Sequence, residues 1–198
     1  MIGVLDYGAG NTGSAINAFE RIGERITLVK SAREINQVDA LVIPGVGSFS
    51  EAMEKIEPMR AGISDFAASG KPVLGICLGM QVLFEKGEEN KETTGLGLMK
   101  GRVEKMLFAP KLPHVGWNQV RQVRKTPLFD GMKENEWFYF IHSFACEAEN
   151  AESVIGTSEY GREFVCAVGE KNVFGVQFHP EKSSSAGQKI LENFVKMR

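Results

Sequence analysis

Gly75-Ile76-Cys77-Leu78-Gly79 sets a cysteine between two glycines, after the apolar run Pro72-Val73-Leu74 and before Met80-Gln81-Val82-Leu83-Phe84. This is the sulfur counterpart of the G-x-S-x-G nucleophile elbow, in which a strand, a tight turn and a helix present the nucleophile at the apex. The glycines let the backbone turn sharply and let a substrate come close. A helix starting at Leu78 and running to about Glu85 would also place backbone N–H groups and positive dipole beside the sulfur, favouring the reactive thiolate. A free cysteine is more often simply buried, but glycines on both sides favour the nucleophile reading.

A cysteine nucleophile needs a base, and the base needs an orienting partner. The chain has three histidines, His114, His142 and His179. His179 lies in Val176-Gln177-Phe178-His179-Pro180-Glu181, at the end of an apolar run. Pro180 turns the chain, so Glu181 can fold back and accept the imidazole N–H, fixing the tautomer and stabilising the imidazolium. His114 and His142 have no such acid, and a structural role fits them better.

These groups have to be positioned by a fold, and the rest of the chain points to an α/β one. A chain of 198 residues suits one domain, residues 1–198. Strands are expected at 2–6, 26–29 and 40–43, with the elbow strand after them. Helices are expected at 12–22 and over roughly 51–69. That alternation predicts an open, mostly parallel sheet flanked by helices. The second half has short β-like runs at 102–106, 116–120, 137–141, 153–157, 164–168 and 173–178, which suggest additional antiparallel strands. Residues 87–100 read as a surface loop. Ile190, Leu191, Phe194 and Val195 form the apolar face of a final helix, for which Ser185 and Gln188 suggest a capping box.

Composition narrows the function. The chain is 43% hydrophobic and 24% charged, with a net charge of −2, which does not favour nucleic acid or an anionic membrane as a partner. No apolar run approaches the ~20 residues of a membrane span, and the N-terminus lacks the basic lead of a signal peptide. Cys77, Cys146 and Cys166 are odd in number and irregularly spaced, which fits a reducing, cytoplasmic setting rather than a disulfide framework. No zinc-ligand spacing occurs, and no metal or cofactor is expected.

In open α/β sheets, ligands bind beyond the carboxyl ends of the strands. Three glycine-bearing segments belong there: Asp6 to Asn11, Pro44 to Phe49, and the elbow. Gly8 to Gly13 matches G-x-G-x-x-G, but a dinucleotide site calls for an acid about 20 residues on, where this chain has Val29-Lys30-Ser31. The dinucleotide reading is therefore disfavoured. The second segment suits an oxyanion hole: the N–H of Leu78 would be one donor and the Gly45-Val46-Gly47 backbone another. Glycines on both sides of Val46 make a peptide flip cheap, so this segment is a candidate switch.

Gly75 to Gln81, as G-x-C-x-G-x-Q, together with the late Phe178-His179-Pro180-Glu181, resembles the class I (triad) glutamine amidotransferases over essentially the whole chain. The resemblance implies hydrolysis of the glutamine side-chain amide by Cys77, His179 and Glu181. It also implies substrate contacts from Gln81, Glu89, and the backbone of His142 and Ser143. Pro44 to Gly47 differs from the P-G-G pattern expected of most relatives, and Tyr7 to Asn11, Pro113 to Asn118 and His179 to Ser184 are similar to the histidine-biosynthesis subtype. That subtype is a glutaminase subunit that forms a heterodimer with a (β/α)8-barrel cyclase and supplies it with ammonia for imidazole glycerol phosphate. Asn11, Trp117, Tyr139 and Lys182 match positions expected at that interface. Phe144-Ala145 departs from the Tyr-Arg expected there. Two readings stay open beside this one: the glutaminase subunit of another synthase, such as that making pyridoxal phosphate, and a cysteine hydrolase of similar architecture.

Overall fold

The computed structural model describes residues 1–8 and 11–198. The first half alternates strands and helices: β1 (Ile2–Leu5), α1 (Thr12–Arg21), β2 (Ile26–Val29), α2 (Ala32–Ile35), β3 (Ala40–Gly45), α3 (Phe49–Ile56), α4 (Arg60–Ala68), β4 (Val73–Cys77) and α5 (Leu78–Gln81). The second half is mostly strands: β5 (Phe84–Gly87), β6 (Thr93–Thr94), β7 (Met99–Lys105), β8 (His114–Gln122), β9 (Asn135–His142), β10 (Phe144–Ala148), β11 (Val154–Tyr160), β12 (Arg162–Glu170) and β13 (Val173–Val176). The helix α6 (Ser184–Val195) follows.

The main path of the sheet runs β2-β1-β3-β4-β13-β12-β10-β7-β5-β6. Its first five strands pair in parallel. β12 and β10 add in antiparallel fashion, and β11, β8 and β9 branch away from them. The mixed architecture expected from the sequence is thus present.

Period-2 alternation on the parallel strands builds two cores. On β3, Ala40 and Val42 face one layer with Phe19, Phe178 and Phe194. Leu41 and Ile43 face the other, with Phe49, Ile56 and Phe66 from α3 and α4. Strands covered on both faces are apolar throughout, and β1, β3 and β4 are fully buried.

Several expectations are corrected. The helix after Cys77 is one turn long and does not reach Glu85. The chain leaves it to form β5, where Phe84 pairs with Met99, and Leu83 O accepts from the N–H groups of Leu98 and Met99. The run Val82-Leu83-Phe84 satisfies a buried strand end as well as a helix face, and pairing with distant residues decides between them. Residues 87–100 are not all surface loop, because they contain β6 and the start of β7, and Leu96 and Met99 are buried. Ser185 and Gln188 form no capping box. α6 begins at Ser184 without a side-chain cap, and Gln188 Nε2 donates instead to Glu192 Oε1. β10 had no separate signal, because Phe144 to Ala148 carries no clean alternation.

Candidate active site

Cys77 is the last residue of β4 and has φ 56° and ψ −112°. Positive φ is strained for a residue with a Cβ, and such strain persists only where packing enforces it. Two glycines supply that packing. A Cβ on Gly79 would lie 1.7 Å from Ile43 O, and one on Gly75 would lie 2.4 Å from Gly79 O. The turn therefore closes only with glycine on both sides of the cysteine. Since α5 is a single turn, the dipole of a long helix is not available to the sulfur.

His179 follows β13, and its N–H donates to Tyr139 O at 2.9 Å. Its Nδ1 lies 2.7 Å from Glu181 Oε1, with both side chains about 95% buried. The carboxylate can only accept, so Nδ1 carries the proton and Nε2 is left for Cys77. Burial pulls the His179 pKa down, but hydrogen bonds to Cys77 and Glu181 and the charges of both outweigh it, and the net value rises to about 10. Among the described residues, Glu181 Oε2 is buried without a partner. The turn Pro180–Lys182 brings the acid back to the imidazole, as the Pro180 argument required.

Cys77 and His179 open into a cavity of about 250 Å³. Val46, Gly47, Leu78, Gln81, Glu89 and Ser143 also line it. Gly45 is set directly beside Cys77, since the two pair in the parallel register of β3 and β4. It lines a smaller neighbouring space that also reaches Asn11 and Glu181. Val46 and His179 border both spaces. Gly47 has φ 105°, a conformation that favours glycine.

Gln81 and Glu89 reach the cavity with some of their polar atoms already engaged. Gln81 Nε2 donates to Phe144 O at 3.3 Å and to Gln177 Oε1 at 3.0 Å. Glu89 Oε2 accepts the Phe49 N–H at 2.7 Å, at the start of α3. His142 also lines the cavity, but its imidazole is tied inward. Its Nδ1 meets Phe144 O at 2.8 Å and its Nε2 meets His114 Nδ1 at 2.9 Å. His114 stacks on Tyr160, with 4.0 Å between centroids. The structural reading of these two histidines holds.

Three of the residues expected at an interface, Trp117, Tyr139 and Lys182, lie together on one rim. Trp117 packs edge-on to Tyr139 with centroids 6.0 Å apart, and Lys182 Nζ sits 6.0 Å from the same ring. Trp117 is 48% exposed, so it is not a core residue. Lys182 also lines the active-site cavity, joining this rim to the chemistry. Asn11 caps α1 through the Ser14 N–H. Of the G-x-G-x-x-G stretch, Ala9 and Gly10 lie outside the described residues. Where a dinucleotide site would need an acid, Lys30 instead pairs with Asp6 at 3.4 Å. Among the described residues no group of three or more potential ligands could hold a metal, and no helix is long and apolar enough to cross a membrane.

Sequence reasoning passed over Gln177, which is fully buried with Nε2 3.6 Å from the Cys77 sulfur. Its signal was a lone polar residue inside the apolar run from Val173 to Phe178.

Residues 3–197 match the family described as glutamine amidotransferase class-I. The imidazole glycerol phosphate synthase subunit HisH of Methanocaldococcus jannaschii is 45% identical over 197 residues, covering 100% of both chains. The subunit of the same name from Desulfitobacterium hafniense is 46% identical, covering 99% of this chain and 94% of that one. Among solved structures, PurLQS from Thermotoga maritima superposes with a TM-score of 0.81 at 21% identity, covering 98% of this chain and 97% of the other. That last likeness concerns the fold alone. With a matching family over nearly its whole length and full-length relatives of one name, the chain belongs to the class-I glutamine amidotransferases, among the HisH subunits of imidazole glycerol phosphate synthase.

Proposed function

We propose that this chain works in histidine biosynthesis as a single amidotransferase domain. It hydrolyses glutamine to glutamate and ammonia and passes the ammonia to a (β/α)8-barrel cyclase subunit in a cytoplasmic heterodimer. The observation that carries the reading is the pairing of a strained cysteine at the apex of an elbow with a buried His179–Glu181 pair in the same cavity.

The geometry suits acyl transfer. Cys77 gives its proton to His179, and the thiolate attacks the carboxamide carbon of glutamine. The C=O π electrons move to oxygen, giving a tetrahedral oxyanion. The Leu78 N–H and the backbone of Gly45, Val46 and Gly47 are the donors that surround that position. His179 then protonates the nitrogen, the C–N bond breaks, and ammonia leaves a glutamyl thioester. His179 next takes a proton from water, hydroxide adds to the thioester, and the C–S bond breaks to release glutamate. Glu181 steadies the imidazolium at both stages, which the raised His179 pKa supports. Gln81, Glu89 and the backbone of His142 and Ser143 hold the substrate.

Ammonia released into neutral water is protonated and loses its nucleophilic lone pair, so a direct passage to the consuming subunit is needed. The rim of Trp117, Tyr139 and Lys182, with Asn11 at α1, is where the cyclase docks. Lys182 touches both the rim and the cavity, which supports control of the Gly45–Gly47 loop by docking. The test is glutamate release with and without the cyclase subunit and its nucleotide substrate. Low release alone and strong release in the complex is expected. No release in either state from folded protein would overturn the reading.

A further inference from the structure

A polar chain runs from the nucleophile into the interior, and its hydrogen-bond directions can be read without ambiguity. Phe144 O can only accept, so the Gln81 amide must turn its NH₂ towards it, at 3.3 Å. The second proton of that NH₂ points to Gln177, at 3.0 Å, so Gln177 presents its oxygen there. The Gln177 NH₂ is thereby forced to the other side, 3.6 Å from the Cys77 sulfur. Gln177 has no freedom to turn. It is fully buried, and its backbone N–H is held by Cys166 O at 2.8 Å.

The sulfur needs such a donor in only one of its two states. As a thiol, Cys77 donates its own proton to Ile141 O at 3.7 Å. Once that proton passes to His179, the sulfur is an anion beside a carbonyl oxygen and can only accept. Buried anions are stable where donors meet them. The titratable groups that feel the charge of the sulfur are His179, Tyr7 and Cys146, with Glu181 behind His179. Burial, and after it the charge of Cys77, hold the tyrosine hydroxyl and the Cys146 thiol in their neutral forms. Apart from His179, the interior side of the sulfur therefore has Gln177 as its amide donor.

We infer that Gln177 is a further catalytic residue of the glutaminase centre, its buried amide N–H holding the Cys77 thiolate, with Gln81 and the Phe144 carbonyl fixing which way that amide points. No atom is transferred to or from Gln177. It stabilises the charge left on sulfur when the proton moves to His179. Gln81 thus acts as a positioning residue besides lining the substrate cavity. The inference rests on Cys77 being the nucleophile.

The test is the rate of Cys77 alkylation by iodoacetamide as a function of pH, followed by mass spectrometry on the folded protein. Two variants are compared with the native chain. Gln177→Met keeps the shape and removes the donor, and Gln177→Asn keeps an amide but withdraws it by one methylene. Loss of one hydrogen bond to a charged group predicts alkylation at pH 7 slower by about tenfold in each variant, with the whole profile displaced to higher pH. kcat for glutamine falls while KM changes little, because the amide meets the sulfur rather than the substrate. Gln81→Met displaces the profile in the same direction by less. Should Gln177→Met fail to fold, Gln177→Asn decides. A profile that superimposes on the native one in a folded Gln177 variant overturns the inference. Alkylation needs no glutamine, so a failure of the glutaminase reading shows separately, as absence of glutamate from the native complex.

Discussion

Nδ1 of His114 lies 2.9 Å from Nε2 of His142, inside the wall of the active-site cavity. Their proton positions follow from the ends of the chain they form. Phe144 O accepts from His142 Nδ1, so His142 Nε2 must accept from His114, and His114 Nε2 faces the Asn118 amide at 3.4 Å. Both imidazoles are neutral in this arrangement, and a proton added to either would break a bond. Burial pushes the His142 pKa down to about 4 despite the Phe144 bond, with smaller contributions in the same direction from His114 and His179. His114 is lowered by burial as well.

Acid should therefore destabilise the fold through this pair. A folded pKa below the unfolded value means that the unfolded chain binds the proton first. The stability is fully present above about pH 6.5 and is lost as pH falls towards 4. For His142 the loss amounts to roughly 3 kcal/mol over that window. His179 shifts the other way, so its contribution is lost as pH rises from 6.5 through about 10, and it does not act in the acid window. Urea unfolding at pH 7 and pH 4 should show a larger loss in the native protein than in His142→Gln. Equal losses would mean that His142 is not held neutral.

Cys77→Ala should leave a folded protein and lower glutamate release by at least about a thousandfold, since removal of a nucleophile leaves only the remaining binding and oxyanion contributions. The melting temperature should change little, because alanine keeps the Cβ and its backbone strain and removes only the sulfur contacts. Residual turnover near the native rate would place the nucleophile elsewhere.

Two glycine substitutions should move stability in opposite directions. Gly79→Ala forces a Cβ to within 1.7 Å of the Ile43 carbonyl, a backbone atom that cannot swing aside. A cost of about 3 kcal/mol or more is expected. Gly13 in α1 has open space around its Cβ position and carries no positive φ. Gly13→Ala should stabilise by about 0.5–1 kcal/mol, through unfolded-state entropy and helix propensity. Denaturant midpoints measure both.

Trp117→Ala should weaken association with the cyclase subunit by about tenfold or more while changing folding stability by less than about 0.5 kcal/mol. The reason is its half-exposed ring, packed edge-on to Tyr139. Calorimetric titration and thermal melts separate the two. A large loss of stability with unchanged binding would assign the ring to the fold instead.

Local chemistry made the elbow at Cys77 and the His179–Glu181 pair legible before any coordinates. The Gly75–Gly79 spacing implies an elbow because only glycine tolerates the close approach that the turn requires, and Pro180 implies the turn that returns Glu181 to His179. The aliphatic run at 40–43 implied a buried parallel strand because burial on both faces leaves no polar alternation. Tertiary structure decided the rest. Val82 to Phe84 became the entry to a strand because β7 offered hydrogen bonds from sixteen residues away, and no local propensity encodes that partner. The direction of the Gln177 amide depends on Gln81 and Phe144, which meet it only when β4, β10 and β13 come together in one sheet. Hydrogen-bond direction inside a core is set by neighbours in space, so sequence order could single out Cys77 and His179 but not the amide that meets the sulfur.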